Sequence, residues 1–166
     1  MNEPALKERI IVCGIVVNAA DEVLLGKKPP GTLPYPDTWL TLGGGVEDLI
    51  RAQQLVRQGF YDAPYLHSEL RREVREEAGI EISAISCICP LYRAKPREAV
   101  VQKKDGKYRL IFLEYLCRAE TTTTRPNLEI VEFTWAAKQK LDEMPLSLPS
   151  RELYRDDLRW IPPQPL

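Results

Sequence analysis

The chain has 166 residues, of which 44% are hydrophobic and 28% charged, and its formal net charge is −1 at pH 7. This length can bury the core of one domain, and the near-neutral charge gives no sign of binding to nucleic acids or membrane surfaces. No apolar run approaches the roughly 18 residues of a membrane span, and the N-terminus does not resemble a signal peptide. We therefore expect one cytoplasmic domain over residues 1–166, with a proline-rich tail from about residue 159.

The N-terminal part has the pattern of a β-hairpin followed by a loop. Residues 10–17 are a nearly continuous β-branched run, residues 18–21 favour a turn, and residues 22–25 return as a second strand. The following segment is rich in proline up to Trp39, which predicts a loop. Residues 49–60 carry apolar side chains at helical spacing, so we expect a short amphipathic helix broken at Gly59.

Residues 65–78 are predicted to form the principal helix. Pro64 suits the first turn of this helix, and Gly79 suits its C-terminal end. Leu70, Val74 and Ala78 recur at i, i+4 and i+8, which gives the helix one apolar stripe. This stripe would dock the helix on a core.

An acidic face lies beside that stripe. Glu73, Glu76 and Glu77 share one side of the helix, and Glu69 joins them one turn earlier. Like charges at this spacing repel by about 0.2–0.5 kcal/mol per pair, so we expect a bound cation to neutralise them. Oxygen ligands with room for water suit Mg²⁺, with Mn²⁺ as the alternative.

The rest of the chain alternates predicted strands and short connections. Residues 82–94 and 108–118 are predicted strands, joined through residues 103–107, whose Asp-Gly pair is typical of a hairpin. Residues 128–135 form another predicted strand, and short helical pieces mix with prolines from residue 136 onward. This arrangement favours an α+β fold.

The acidic helix and the glycines before it resemble the signature of the Nudix hydrolases, G-x5-E-x7-R-E-U-x-E-E-x-G-U, where U is a bulky aliphatic residue. The second half is matched at every specified position, by Arg72, Glu73, Val74, Glu76, Glu77, Gly79 and Ile80. Trp39 precedes the glycines of residues 43–45 as a tryptophan often does in that family. The resemblance spans roughly residues 11–146 and implies the Nudix α/β/α sandwich with a mixed β-sheet.

The first glutamate of the signature is missing. Counted forward from Gly44 it falls on Ile50, and counted back from Arg72 it falls on Pro64, so the two counts differ by 14 residues. An insertion at about residues 48–63 therefore splits the signature.

The insertion leaves several interpretations open. Asp62 or Glu47 would have to cover for the missing carboxylate in space. The inserted segment itself could be a surface elaboration that packs its own apolar side, a lid near the metal site, or a contact in a homodimer.

The resemblance also implies which residues hold the metal. Glu76 and Glu77 are the first candidates for metal ligands, and Glu73 is a third ligand or a base. The backbone carbonyl of Gly44 would add a further ligand, and Arg72 would orient a neighbouring carboxylate.

Further candidates lie outside the helix. Glu129 is a candidate metal ligand or general base, against an exposed strand-edge glutamate as the alternative. Lys27 and Lys28 are candidate phosphate contacts, or else ordinary surface lysines. Trp39 suits packing better than stacking on a base, although both roles stay open.

Two more features concern the substrate cleft and the only histidine. Arg93 is a candidate for substrate binding, as are Tyr35 and Tyr92, because spacing alone does not select among them. His67 is expected to be exposed and without a catalytic role.

These residues imply a Mg²⁺-dependent pyrophosphohydrolase that cleaves a diphosphate linkage in a small nucleotide. Nucleoside triphosphates, nucleotide sugars, ADP-ribose and dinucleoside polyphosphates all remain open as substrates. The split signature supports an alternative, a non-catalytic Nudix-fold module that binds a ligand. The retained acidic cluster favours the enzyme, because a chain without a metal has no physical reason to keep repelling charges.

Overall fold

The computed structural model describes residues 5–32, 35–90 and 93–154, which form a mixed β-sheet with helices on both faces. The eight strands are β1 (Lys7–Val17), β2 (Glu22–Lys27), β3 (Trp39–Leu40), β4 (Leu42–Gly45), β5 (Ile82–Cys87), β6 (Arg97–Lys103), β7 (Gly106–Ala119) and β8 (Glu132–Ala137). The helices are α1 (Leu49–Arg57), α2 (Pro64–Ala78) and α3 (Leu148–Glu152), with a 3₁₀ helix over Lys138–Glu143. This architecture confirms the predicted α+β sandwich.

Strand β1 is the centre of the sheet. It pairs in parallel with β7 along its whole length, from Lys7 opposite Tyr108 to Val17 opposite Arg118. Its other edge is shared, because β4 pairs with residues 11–14 while β2 meets β1 only where Val17 faces Val23. The predicted N-terminal hairpin therefore forms, but its two strands diverge, and β4 occupies the gap.

Helix α2 packs its apolar stripe on one face of the sheet. Leu70, Val74 and Ala78 are completely buried, as the helical spacing predicts, and they belong to the same cluster as Val12 and Val16 of β1. The other face of the sheet is covered by the 3₁₀ helix and α3.

The insertion forms the predicted short helix. The side chain of Asp48 caps α1 by accepting a hydrogen bond from the Arg51 N–H, at 3.1 Å. Ala52 is buried against the core, whereas Ile50 is 70% exposed and Phe60 is 58% exposed. The helix turns its inner side toward α2 and β1, so its apolar positions are only partly covered.

Strand boundaries after residue 80 differ from the prediction. The strand expected over residues 82–94 ends at Cys87, close to Pro90, which cannot donate a ladder hydrogen bond. The Asp105–Gly106 turn does form a hairpin, but its first strand is β6, which the sequence analysis missed. Strand β6 alternates between exposed and half-buried residues, and its short apolar run over residues 99–101 lies between charged and polar residues.

The strand expected over residues 128–135 begins only at Glu132. The Asn127 side chain accepts hydrogen bonds from the N–H groups of Glu129 and Ile130, which holds this segment in a turn. The proline-rich tail expected from about residue 159 lies outside the described residues. No helix in the described ranges is long and apolar enough to cross a membrane.

Candidate metal and nucleotide site

The glycines of β4 bring its backbone against the acidic face of α2. The Gly43 N–H donates a hydrogen bond of 2.8 Å to Oε1 of Glu77. A Cβ atom added at Gly44 would lie 2.5 Å from the carboxylate carbon of Glu73. Only glycine permits this contact, so the two signature carboxylates lie directly on the glycine strand.

Arg72 connects the acidic side chains to one another. Its guanidinium lies 2.9 Å from Oε2 of Glu69, 3.0 Å from Oε1 of Glu73 and 3.2 Å from Oε2 of Glu76. It also donates to the carbonyl oxygen of Gly45, at 3.5 Å. Arg72 thus contacts three neighbouring carboxylates, and its predicted role of orienting one of them stays a prediction.

The carboxylates of the cluster differ in burial. Glu69 and Glu77 are 6% and 9% exposed, whereas the side chain of Glu76 is 60% exposed. Burial raises the pKa of Glu77 to about 8, although the Gly43 N–H opposes the shift. Burial likewise raises the pKa of Glu73, against the opposing charge of Arg72. Both groups would ionise more readily beside a cation.

The donor set fits a hard cation. In residues 5–32, 35–90 and 93–154, no three carboxylate, imidazole or thiol side chains form a metal cage by themselves. Mg²⁺ does not require one, because it usually keeps several waters and takes one or two carboxylates plus substrate phosphates. Glu73 and Glu77 beside the glycine backbone provide such carboxylates, and the exposed Glu76 could supply another.

Magnesium should therefore stabilise the protein in the absence of nucleotide. A ligand that binds only the folded state adds about 2.7 kcal/mol at 100 times its dissociation constant, which raises the melting temperature by several degrees. We expect a Mg²⁺ titration followed by differential scanning fluorimetry to show this rise, and Glu77→Gln to abolish most of it. An equal rise in both proteins would contradict a site at Glu77.

A cavity of about 270 Å³ opens on the other side of the glycine strand. Glu77 and the three β4 glycines form part of its wall. Its apolar lining comes from β1, β3, β7 and the segment after α3, through Ile11, Leu40, Leu110, Phe112 and Leu153. A flat, partly apolar ligand could occupy this space while an attached group reaches Glu77.

Basic side chains also line this cavity. They are Arg9 of β1, Lys103 of β6 and the half-buried Lys28. Arg9 and Lys103 lie 4.8 Å and 5.3 Å from the centre of the Tyr108 ring. The charge of Arg9 adds to burial in lowering the pKa of Lys103. This concentration of positive charge suits an anionic ligand.

A buried ion pair lies at the far end of the cavity. Arg97 of β6 holds Glu114 of β7 with two hydrogen bonds of 2.7 Å and 3.1 Å. Arg97 also donates to the Pro149 carbonyl at 2.7 Å, which ties α3 to the sheet. Sequence reasoning missed this pair, because Arg97 and Glu114 belong to different strands and no local spacing relates them.

Of the predicted substrate residues, Lys28 lines the cavity, and so does Tyr35. Lys27 and Trp39 do not: Lys27 lies 3.6 Å from Asp37 and 5.6 Å from the centre of the Trp39 ring. Trp39 packs against the core on the α3 side of the sheet, in agreement with the packing interpretation.

Arg93 faces a separate shallow cavity with Lys95, Glu98 and Glu152, while Tyr92 lies outside the described residues. His67 is half-buried, whereas the sequence analysis predicts an exposed side chain. It contacts Asp62 at 2.8 Å and the Tyr115 ring edge-on, because the inserted segment folds back over this part of α2.

The predicted auxiliary residue Glu129 lies in the turn before β8. Asn127 ties this turn to α2 by donating to the Glu77 carbonyl oxygen at 2.6 Å. Glu129 is near enough for its charge to contribute to the raised pKa of Glu77. Glu129 is exposed, and its role as a metal ligand or general base stays a prediction.

Comparison with known proteins agrees with this geometry. No protein-family model matches the chain. A nucleoside triphosphatase, NudI from Klebsiella pneumoniae (strain 342), is 26% identical over 149 residues, which cover 88% of this chain and 94% of the relative.

Solved structures show the same fold. A MutT Nudix hydrolase from Burkholderia pseudomallei superimposes with a TM-score of 0.64 at 20% identity, covering 90% of this chain and 98% of that one. The Nudix domain of Shewanella oneidensis NrtR, solved in complex with ADP ribose, has a TM-score of 0.62 at 14% identity. It covers 93% of this chain and 87% of that one.

Proposed function

We propose that the chain is a Nudix hydrolase, and specifically a Mg²⁺-dependent pyrophosphohydrolase of nucleoside triphosphates. One observation carries the proposal. The half-buried Glu73 and the buried Glu77 lie against a glycine strand whose other side forms a nucleoside-sized cavity with basic walls.

The size and charge of the cavity support a triphosphate. Its volume of about 270 Å³ is slightly below the roughly 300–1,000 Å³ typical of small-molecule sites, so it suits one nucleoside rather than two. The cations Arg9, Lys28 and Lys103 suit the larger negative charge of a triphosphate better than the smaller charge of the diphosphate in a nucleotide sugar. The nucleoside triphosphatase relative supports the same substrate class.

The roles of the residues follow from their contacts. Glu73, Glu77 and the Gly44 carbonyl would hold the metal, with Glu76 on the exposed side. When bound, the cation would polarise phosphoryl oxygens and lower the pKa of a water. Arg72 keeps Glu73 on the glycine strand, and Lys28 contacts a phosphate.

Proton transfer completes the proposed reaction. Glu129, or Glu73 in place of its role as a metal ligand, would accept the proton of the water that attacks the α- or β-phosphorus. The bond from that phosphorus to the bridging oxygen between them breaks, and the products are a nucleoside monophosphate and pyrophosphate. A base within hydrogen-bond reach of the attacking water contributes about 10²–10⁴-fold in rate.

A hydrolysis screen with Mg²⁺ tests the substrate class. The panel consists of nucleoside triphosphates, nucleotide sugars, ADP-ribose and a dinucleoside polyphosphate, with products separated by chromatography. We expect the largest kcat/KM with a triphosphate and release of pyrophosphate. A clear preference for ADP-ribose or a nucleotide sugar would contradict the triphosphate assignment, and binding without turnover would favour the non-catalytic module.

Two further expectations concern the protein in the cell. A cytoplasmic location and a homodimer through the exposed apolar residues of the insertion stay predictions.

A further inference from the structure

We propose that Glu69, in a chain that lacks the first glutamate of the signature, is a positioning residue that holds Arg72 and thereby Glu73. This inference rests on the proposed function. It concerns how Arg72 is held, and through Arg72 how Glu73 is held against the glycine strand.

Glu69 accepts hydrogen bonds from a backbone N–H and from the Arg72 guanidinium. Its Oε2 accepts a hydrogen bond from the Glu47 N–H at 2.8 Å and another from Nη2 of Arg72 at 2.9 Å. Its Oε1 accepts a third hydrogen bond, from Nε of Arg72 at 3.3 Å. Glu69 is only 6% exposed. A buried carboxylate with charged and backbone donors on both sides is held firmly, because each lost partner would leave a desolvated group.

These contacts connect the glycine segment to the acidic helix. Glu47 follows β4, so its N–H belongs to the segment that leaves the glycine strand. The Arg72 guanidinium that Glu69 holds also forms an ion pair with Oε1 of Glu73, at 3.0 Å. Glu69 therefore joins the two halves of the split signature, from the glycine segment through Arg72 to the carboxylate on Gly44.

Glu47 and Asp62, the other candidates to cover for the missing glutamate, do not hold Arg72 in this way. Glu47 has a side chain that is 73% exposed and only a 3.6 Å contact with Arg72. Asp62 instead accepts hydrogen bonds from the Cys87 N–H and contacts His67, both at 2.8 Å. Neither can orient Arg72 as Glu69 does.

The positions that spacing assigns to the first glutamate are also unsuitable. Ile50 lies on the exposed side of α1, and Pro64 is the first residue of α2. Glu69, one turn before Glu73, points to the same helix face as the cluster. Among the candidate carboxylates, Glu69 is therefore the one that both contacts Arg72 closely and is buried beside it.

The test is Glu69→Gln, compared with Glu47→Gln as the matched control. Glutamine keeps the volume of the side chain, but it has one acceptor oxygen where the glutamate has two. It also lacks the negative charge that pairs with Arg72. We expect kcat to fall about 10- to 100-fold and the Mg²⁺ concentration for half-activation to rise, while KM for the nucleotide stays within about twofold. The control should stay within about twofold in every quantity.

A second variant and a double mutant make the result decisive. Glu69→Asp keeps the charge but shortens the reach, and we expect it to lower kcat in the same direction if Glu69→Gln does not fold. In an Arg72→Lys background, Glu69→Gln should have little additional effect, because Glu69 acts through Arg72. Independent, multiplicative losses would overturn the proposal.

The two proposals can fail separately. If the wild-type protein hydrolyses nucleotides and Glu69→Gln matches it in kcat and in Mg²⁺ half-activation, a merely structural role replaces the positioning role. If the wild-type protein has no turnover, the proposed function fails. In that case the Mg²⁺-induced shift in melting temperature decides about Glu69, and an unchanged shift in Glu69→Gln overturns the positioning role.

Discussion

Replacing Glu77 by glutamine is expected to reduce turnover by about 10³-fold, because the loss of several kcal/mol of metal-based stabilisation corresponds to that factor. The substitution removes the charge and keeps the shape. In the wild-type protein the Gly43 N–H donates a hydrogen bond to Oε1 of Glu77 at 2.8 Å. The amide oxygen of the glutamine can still accept this hydrogen bond. The fold should therefore survive while the metal site does not.

Steady-state kinetics over a range of Mg²⁺ concentrations provide the measurement. Glu81→Gln is the control, since Glu81 is also acidic and follows α2 but pairs with Arg75, at 2.6 Å, away from β4. We expect the control to retain wild-type kcat. Glu77→Gln with full activity at saturating Mg²⁺ would show that this carboxylate is not required.

The three glycines of β4 are expected to respond to alanine in three different ways. At Gly43 an added Cβ would collide with the backbone of β1, 2.8 Å from Cys13 Cα and 2.9 Å from the Val12 carbonyl carbon. Backbone cannot move aside easily, so Gly43→Ala should destabilise the fold by about 3 kcal/mol.

At Gly44 the collision is with the carboxylate of Glu73. A side chain can move, so Gly44→Ala should fold but displace this carboxylate and lower kcat by about 10²-fold. At Gly45 the nearest atom is Cδ1 of Ile11, at 3.9 Å, so Gly45→Ala is the control for stability.

Urea denaturation and kcat for all three variants distinguish these outcomes. The critical comparison is between Gly43→Ala, with reduced stability, and Gly44→Ala, with normal stability and low activity. Equal loss of stability in both variants would mean that Glu73 cannot move away from the glycine strand, and normal activity in Gly44→Ala would remove Glu73 from the site.

Helix α2 could be predicted almost residue by residue. Its apolar stripe, the proline at its start and the glycine at its end are local features, and the observed helix runs from Pro64 to Ala78. Gly79 has a φ of 71°, the left-handed conformation that such a helix end favours. The acidic face followed from the same periodicity, because residues three and four apart on a helix must be neighbours.

Strand β6 and the cavity could not be predicted in this way. The apolar run of strand β6 is only three residues long, and the strand pairs its backbone with β7 from Arg97 opposite Phe112 to Lys103 opposite Gly106. The basic residues of the cavity come from β1, from β6 and from the residue that follows β2, which are far apart in sequence.

The sequence by itself determined the signature helix, its acidic face, the glycine run and the family they resemble, because each depends on spacing within a few turns of chain. Only the tertiary structure decided that the Glu69 carboxylate holds Arg72 and that Lys28, rather than Lys27 or Arg93, lines the cavity beside Glu77. The physical reason is that burial and hydrogen bonding depend on which strands meet. Neighbouring lysines of one chain can therefore point to different environments.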